Sequence, residues 1–98
     1  MARREPAGRA QLKVLMYTTQ WCGYCSRARR LLQSKGVSFT EIDVDAQPGA
    51  RAEMMARGGQ RAVPQIFIGA THVGGSDELL ELEAAGQLDA LLSKELES

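Results

Sequence analysis

The chain has 98 residues, enough for one domain with a buried core. Its 12 Lys and Arg residues balance its 12 Asp and Glu residues, so no net field marks it as a binder of nucleic acid or of membrane surfaces. No apolar run approaches the roughly 20 residues that span a bilayer, so a membrane partner is not expected.

The N-terminal stretch differs in composition from the rest. Residues 1–11 carry Arg and Ala without the apolar core of a secretory signal. We predict a disordered leader over 1–11 and a folded domain over 12–98. Because the chain has only two cysteines and no export signal, a reducing, cytoplasmic location is expected.

The first half of the chain predicts two strands, with a helix after each. Residues 12–17 form a mostly apolar run typical of a buried central strand. A helix is expected to start at the cysteines, bury Cys25, Ala28, Leu31 and Leu32 on one face, and stop at Gly36. Residues 38–45 alternate with a period of two and predict the second strand.

The second helix and the hairpin that follows it are read from Pro and Gly positions. Pro48 suits the first helical position, and Gly58-Gly59 ends the helix. One side of this helix is expected to carry Ala52, Met55 and Ala56, with Met54 and Met55 in the core and at its rim. Residues 65–68 and 71–73, separated by Gly69-Ala70, predict a β-hairpin.

Two further helices complete the predicted order. Ser76 or Asp77 is expected to cap the third helix, and a last helix follows Gly86. The order β-α-β-α-β-β-α-α predicts an α/β domain with a mixed sheet and helices on both faces. Its first two strands should be parallel through a right-handed crossover.

Cys22 and Cys25 have the spacing C-x-x-C. A disulfide between them would close a very small loop and add little stability, so the pair indicates chemistry rather than a structural crosslink. At a helix start, unpaired N–H groups and the helix dipole favour a thiolate. We predict that Cys22 is the thiolate nucleophile and that Cys25, one turn further and facing inward, is the resolving thiol.

A zinc site is the simplest alternative use of the two cysteines. A closed structural zinc site needs four ligands. The sequence offers only His72, in a distant strand, as a further soft ligand. Redox chemistry is therefore favoured over metal binding, and no metal ligand is expected in the main interpretation.

Four motifs occur in a fixed order along the chain: Tyr17-Thr18, Cys22-Gly23-Tyr24-Cys25, the run from Val63 to Ile68, and Gly74-Gly75-Ser76-Asp77. This order closely resembles the glutaredoxin family, and most closely its small bacterial dithiol members, over about residues 12–92. The resemblance implies a thioredoxin-like fold with a four-stranded mixed sheet flanked by helices, and a cis peptide bond before Pro64. It also implies an enzyme that uses glutathione as co-substrate to reduce protein disulfides and glutathione mixed disulfides.

The resemblance further implies a glutathione-binding groove built from Tyr24, Arg51, Val63, Pro64, Gly75, Ser76 and Asp77. The backbone of Val63 would pair with the ligand's cysteine as an added strand. The amides at the start of the third helix would take the γ-glutamyl carboxylate. Asp77 would hold the ammonium, and Arg51 the glycyl carboxylate.

The chain departs from the common family pattern at two positions: Gly23 replaces a frequent Pro, and Thr19 replaces a frequent Lys. Some family members with a small residue at the position of Gly23 bind a 2Fe–2S cluster. Many of these also have Trp before the first cysteine, as this chain has Trp21. In them the first cysteine of each of two subunits and two glutathione thiols supply four sulfur ligands.

The resemblance therefore implies two functions with different assemblies. The main expectation is a monomer whose partners are glutathione and glutathionylated or disulfide-bonded proteins. The alternative is a homodimer that holds a 2Fe–2S cluster through Cys22 and serves as an iron–sulfur carrier or sensor.

Overall fold

The computed structural model describes residues 14–20, 22–58, 60 and 62–97. The predicted leader over 1–11 and Trp21 lie outside these ranges. The elements are β1 (Val14–Thr18), α1 (Gly23–Ser34), β2 (Thr40–Asp43), α2 (Ala50–Gly58), β3 (Gln65–Ile68), β4 (Thr71–Gly74), α3 (Ser76–Ala84) and α4 (Leu88–Glu97). Their order is the predicted one. None of the described helices is long and apolar enough to cross a membrane.

The four strands form one mixed sheet in the order β2-β1-β3-β4. β1 runs parallel to β2, with Leu15 opposite Thr40. β1 runs antiparallel to β3, with Leu15 opposite Phe67, and β3 pairs antiparallel with β4. The predicted α/β class and thioredoxin-like, four-stranded mixed sheet are therefore confirmed.

The sheet separates two hydrophobic clusters because successive strand residues point to opposite faces. On one face, Ile66 and Ile68 of β3 pack with residues of α1, α3 and α4. On the other face, Phe67 packs with Tyr17 and with Met54 of α2. The end of β1 is paired with the start of β3, with Tyr17 opposite Gln65. The cysteines follow β1 and Pro64 directly precedes β3, so both segments lie at the same edge of the sheet.

α2 begins two residues later than the sequence suggests, at Ala50 rather than at Pro48. The Ala50 N–H donates to the Gln47 carbonyl at 3.1 Å, and Gly49 has a φ of 81°. Pro at the second position and a left-handed Gly at the third are typical of a type II turn. Pro48 therefore belongs to a turn that precedes the helix.

The buried face of α2 also differs from the prediction. Ala50 and Met54 are buried, whereas Ala52, Met55 and Ala56 are exposed. The helix meets the sheet through Ala50 and Met54, which are four residues apart, so its packing against the sheet selects a different face from the one that the spacing of Ala52, Met55 and Ala56 suggests. The expected side with Ala52 and Ala56 is therefore exposed, whereas Met54 lies in the core as predicted.

β2 is shorter than the predicted strand over 38–45 and ends at Asp43. The Asp43 carboxylate accepts hydrogen bonds from the Asp45 and Ala46 amides at 2.9 and 3.2 Å. An Asp side chain that binds amides two and three residues on stabilises a turn and competes with the strand ladder. The strand therefore stops while the alternation of residue types continues.

Candidate active site

Cys22 lies between the end of β1 and the first turn of α1, where it is the N-cap residue. Its backbone is extended, and its sulfur accepts a hydrogen bond from the Cys25 N–H at 3.3 Å. The same sulfur lies 3.8 Å from the Val63 carbonyl oxygen. The Cys22 thiol is therefore held between a helix start and the segment before β3, and it is partly exposed to solvent.

Cys25 lies one turn further along α1 and is fully buried. Burial, the largest cause, and the hydrogen bond with Cys22 together raise the pKa of the Cys25 thiol to about 12. The Thr19 backbone and the Arg29 charge oppose this shift. Both cysteines are unpaired thiols, so the structure separates an accessible sulfur from a buried, protonated one. This arrangement is compatible with the predicted roles of nucleophile and resolving thiol.

A groove opens beside Cys22, and six of the predicted glutathione-binding residues line it: Tyr24, Val63, Pro64, Gly75, Ser76 and Asp77. The peptide bond between Val63 and Pro64 is cis, as the family resemblance implies. Tyr24 is 59% exposed, so its ring forms a wall of the groove rather than part of the core. Segments distant in sequence are thus brought together on one side of the nucleophile.

The start of α3 forms the wall of the groove that faces the cis proline. The N-cap is Gly75, not Ser76 or Asp77, which lie inside the helix as its first two residues. The Gly75 N–H donates to the Glu78 carboxylate at 2.7 Å. The amides of Ser76 and Asp77 have no acceptor within the helix because of their position in the first turn. These amides and the helix dipole suit an anionic group.

Ser76 adds a further polar group at this helix start. Its residue is only 3% exposed, and no described residue is hydrogen-bonded to its hydroxyl. An unpaired buried hydroxyl costs about 1–3 kcal/mol. Because Ser76 also lines the groove, its hydroxyl could donate a hydrogen bond to a ligand oxygen bound there, and this bond would offset the cost.

Arg51 is not brought together with the other predicted ligand residues. It lies in the first turn of α2, and its guanidinium contacts the Asp45 carboxylate at 3.0 Å. Arg51 is not among the residues that line the groove. Its expected contact with the glycyl carboxylate stays a prediction. For that contact the guanidinium must either break its ion pair with Asp45 or bind both carboxylates at once.

Four groove residues were not predicted from the sequence: Gln60, Ala62, Gln65 and Glu78. An acidic residue three positions after an N-cap is the spacing of a capping box, and this pattern could have identified Glu78. Gln65 is a polar residue in the apolar run that follows Pro64, and it is 2% exposed. Nothing local marks Gln60, which reaches the groove through the tertiary fold.

Comparison with known proteins agrees with this geometry. The sequence profile of the glutaredoxin family matches residues 14–73. Glutaredoxin from Pseudomonas aeruginosa is 60% identical over 80 residues, which are 82% of this chain and 95% of that protein. Glutaredoxin 3 from Escherichia coli strain K12 is 53% identical over 79 residues, which are 81% and 95% of the two chains.

The fold is also shared with a solved structure. The crystal structure of a buckwheat glutaredoxin–glutathione complex superposes with a TM-score of 0.79 at 31% identity, covering 86% of this chain and 79% of that chain. The family profile spans more than half of the sequence, and the bacterial relatives are covered almost completely. The chain therefore belongs to the glutaredoxin family and is a thiol–disulfide oxidoreductase.

Proposed function

We propose that this enzyme uses glutathione to reduce glutathione mixed disulfides and protein disulfides, with Cys22 as the nucleophile and Cys25 as the resolving thiol. The observation that carries the proposal is the partly exposed Cys22 sulfur at the start of α1, beside a groove that ends at a second helix start. The two helix starts supply N–H groups for a thiolate and for a ligand carboxylate.

The reaction with a glutathione mixed disulfide proceeds by two exchanges. The Cys22 thiolate attacks the glutathione sulfur, the target's sulfur leaves as a thiolate that takes up a proton, and Cys22 becomes bonded to glutathione. A second glutathione thiolate then attacks the glutathione sulfur of this intermediate. Glutathione disulfide forms and the Cys22 thiolate is regenerated, so one glutathione from solution has been consumed and the disulfide bond has moved from the target to a pair of glutathione molecules.

Reduction of a protein disulfide also requires Cys25. After Cys22 has attacked the target, Cys25 loses its proton and attacks the Cys22 sulfur, which releases the second target thiolate and leaves a Cys22–Cys25 disulfide. The Cys25 N–H already contacts the Cys22 sulfur at 3.3 Å, so the two residues need little rearrangement. Two glutathione molecules then restore both thiols.

Glutathione fits the groove in one orientation. The Val63 backbone would pair with the ligand's cysteinyl residue as an added strand, which brings the ligand sulfur towards Cys22. The γ-glutamyl carboxylate would meet the Ser76 and Asp77 amides and the buried Ser76 hydroxyl. The exposed Asp77 carboxylate would bind the ammonium group beside it.

A glutathione-coupled reductase assay with single-cysteine variants tests the proposal. Cys22→Ser should abolish reduction of both substrate classes. Cys25→Ser should retain reduction of glutathione mixed disulfides and lose reduction of protein disulfides. Ser34→Ala, an exposed change at the far end of α1, is the matched control. Full activity in Cys22→Ser would refute the assignment.

A second candidate is the 2Fe–2S cluster shared by two chains. The described residues contain no group of three or more His, Cys, Asp or Glu side chains placed to bind a metal. In this candidate each chain would contribute Cys22, and the remaining sulfur ligands would come from a second chain and from two glutathione thiols. The observation in favour is Gly23, which carries no side chain next to Cys22 and adjoins open space, since a Cβ added there would have no neighbour within 4 Å.

The spectrum and size of protein purified anaerobically with glutathione test this candidate. Visible absorption that disappears in Cys22→Ser, together with a dimer that dissociates when glutathione is removed, would support a bound cluster. A colourless monomer under these conditions would contradict it. For the cluster-free enzyme we propose a monomer in the cytoplasm, which sedimentation and cell fractionation would check.

A further inference from the structure

A chain of hydrogen bonds runs from the edge strand of the sheet to the groove. His72 of β4 places its Nε2 atom 2.6 Å from the Gln65 side-chain oxygen. The Gln65 amide nitrogen donates to the Gln60 side-chain oxygen at 3.2 Å. Gln65 directly follows the cis Pro64, and both glutamines line the groove. His72 is thus linked to the glutathione site without lining it.

The direction of each of these hydrogen bonds follows from which atoms carry hydrogen. The Gln65 oxygen can only accept, so the hydrogen in its contact with His72 must be on Nε2. The imidazolium and one of the two neutral tautomers meet this condition. The Gln65 NH2 group then donates to the Gln60 side-chain oxygen. The Gln60 NH2 group is thereby left to donate a hydrogen bond in the groove.

The surroundings of His72 hold its ring in one place. The ring stacks on Phe67, with centroids 4.6 Å apart and an interplanar angle of 20°. A Cβ added to Gly58 would lie 3.0 Å from the Cε1 and Nε2 atoms of His72, so the end of α2 leaves room for the ring only because it is Gly. A fixed ring and a buried Gln65 allow this hydrogen-bond polarity to be transmitted to Gln60.

We infer that Gln60 donates a hydrogen bond from its amide to the glycyl carboxylate of bound glutathione, and that His72 is a positioning residue that acts through Gln65. The inference rests on the proposed function. In that orientation the γ-glutamyl group occupies the start of α3 and the cysteinyl backbone pairs with Val63, so the glycyl carboxylate is the remaining strong acceptor. Gln60 precedes Val63 on the same wall of the groove.

Steady-state kinetics with a glutathione mixed disulfide test the binding half of the inference. Gln60→Ala should raise KM about three- to tenfold without changing kcat, the range left for one hydrogen bond to a charged group after solvent screening. Gln60→Glu, which has the same shape but only accepts, should raise KM further. Gln33→Ala, an exposed change on α1, should match the wild type.

A mixed disulfide of γ-glutamylcysteine, which lacks the glycyl carboxylate, distinguishes this contact from others. Gln60→Ala should have little effect on KM for that substrate. If the wild type is active but Gln60→Ala leaves KM for the glutathione substrate unchanged, the inference is overturned and the proposed function stands. If the wild type does not turn over glutathione substrates at all, the proposed function itself fails.

The positioning half is tested by a double-mutant cycle. His72→Phe keeps the stacking surface on Phe67 and removes the Nε2 donor, so KM should rise as it does in Gln60→Ala. His72→Gln, which can restore a donor, should recover most of the loss. In the Gln60→Ala background His72→Phe should add nothing. If His72→Phe raises KM equally in the wild type and in Gln60→Ala, His72 does not act through Gln60 and this part of the inference is overturned. If His72→Phe does not fold, Gln65→Met, of similar volume, is measured in the same cycle.

Discussion

Burial of Cys25 should make the stability of the reduced enzyme fall as the pH rises. The residue is fully buried, and burial raises its pKa to about 12. In an unfolded chain the pKa of a thiol is about 8.5. Between these values the unfolded state binds fewer protons at this site than the folded state, so the free energy of unfolding decreases with pH. The full contribution is present below about pH 8.5 and is lost progressively towards about pH 12.

The expected loss is large for a domain of this size. The free energy of unfolding falls with a slope that approaches about 1.4 kcal/mol per pH unit. Its decrease between about pH 7 and pH 10 is about 2 kcal/mol. Small domains are stable by only about 5–15 kcal/mol. Burial also raises the pKa of Tyr17, which acts in the same direction, but only near and above about pH 10.

Urea unfolding of the protein in a disulfide reductant, followed by circular dichroism between about pH 7 and pH 10, measures this loss. Cys25→Ser removes the titrating group while keeping its approximate size, so this variant should lose about 2 kcal/mol less than the wild type over that range. Cys22→Ser is the control and should retain most of the dependence, because burial is the largest cause of the shift. Identical losses in Cys25→Ser and the wild type would refute the reasoning.

Three further predictions concern the groove and the helix contacts. Asp77→Asn should raise KM for glutathione substrates about tenfold with a native circular dichroism spectrum, since it removes the charge that binds the ammonium; an unchanged KM would contradict this role. Glu78→Ala should lower the free energy of unfolding by about 1 kcal/mol through loss of the bond to the Gly75 amide, and Glu78→Gln should recover most of it. Lys35 contacts Glu83 and Asp89 at 2.7 and 2.9 Å, so Lys35→Met should lower the urea midpoint, and added salt should narrow the difference from the wild type.

Several elements could be predicted because their determinants are local. The stop of α1 at Gly36 and the two-residue turn of the hairpin, with Gly69, each place a glycine at a positive φ, of 72° and 60°. Glycine adopts such angles at no steric cost, so it marks these positions in the sequence itself. The spacing of Cys25, Ala28 and Leu32 likewise specifies one helix face, and all three are buried.

The parts that could not be predicted depend on contacts between distant segments. The rotation of α2 is set by the turn through Pro48 and Gly49 and by the fit of Met54 against the sheet. The groove includes Gln60 because the chain after α2 passes beside the start of α3. Residue spacing does not predict that these two segments lie close together. The ion pair between Arg51 and Asp45 is of the same kind, since it depends on where β2 ends.

The contrast in burial between the two cysteines determines which thiol can attack first. A nucleophilic thiol must lose its proton and reach its substrate, and Cys25, fully buried with a pKa raised to about 12, meets neither condition in the reduced enzyme. In the proposed mechanism, the bond between Cys22 and glutathione is resolved by Cys25 or by a second glutathione. Because Cys25 must first lose a strongly held proton, glutathione in solution is expected to compete effectively for that intermediate. In the proposed mechanism, the burial of Cys25 therefore favours turnover of glutathione mixed disulfides through Cys22 alone and leaves Cys25 for the reduction of protein disulfides.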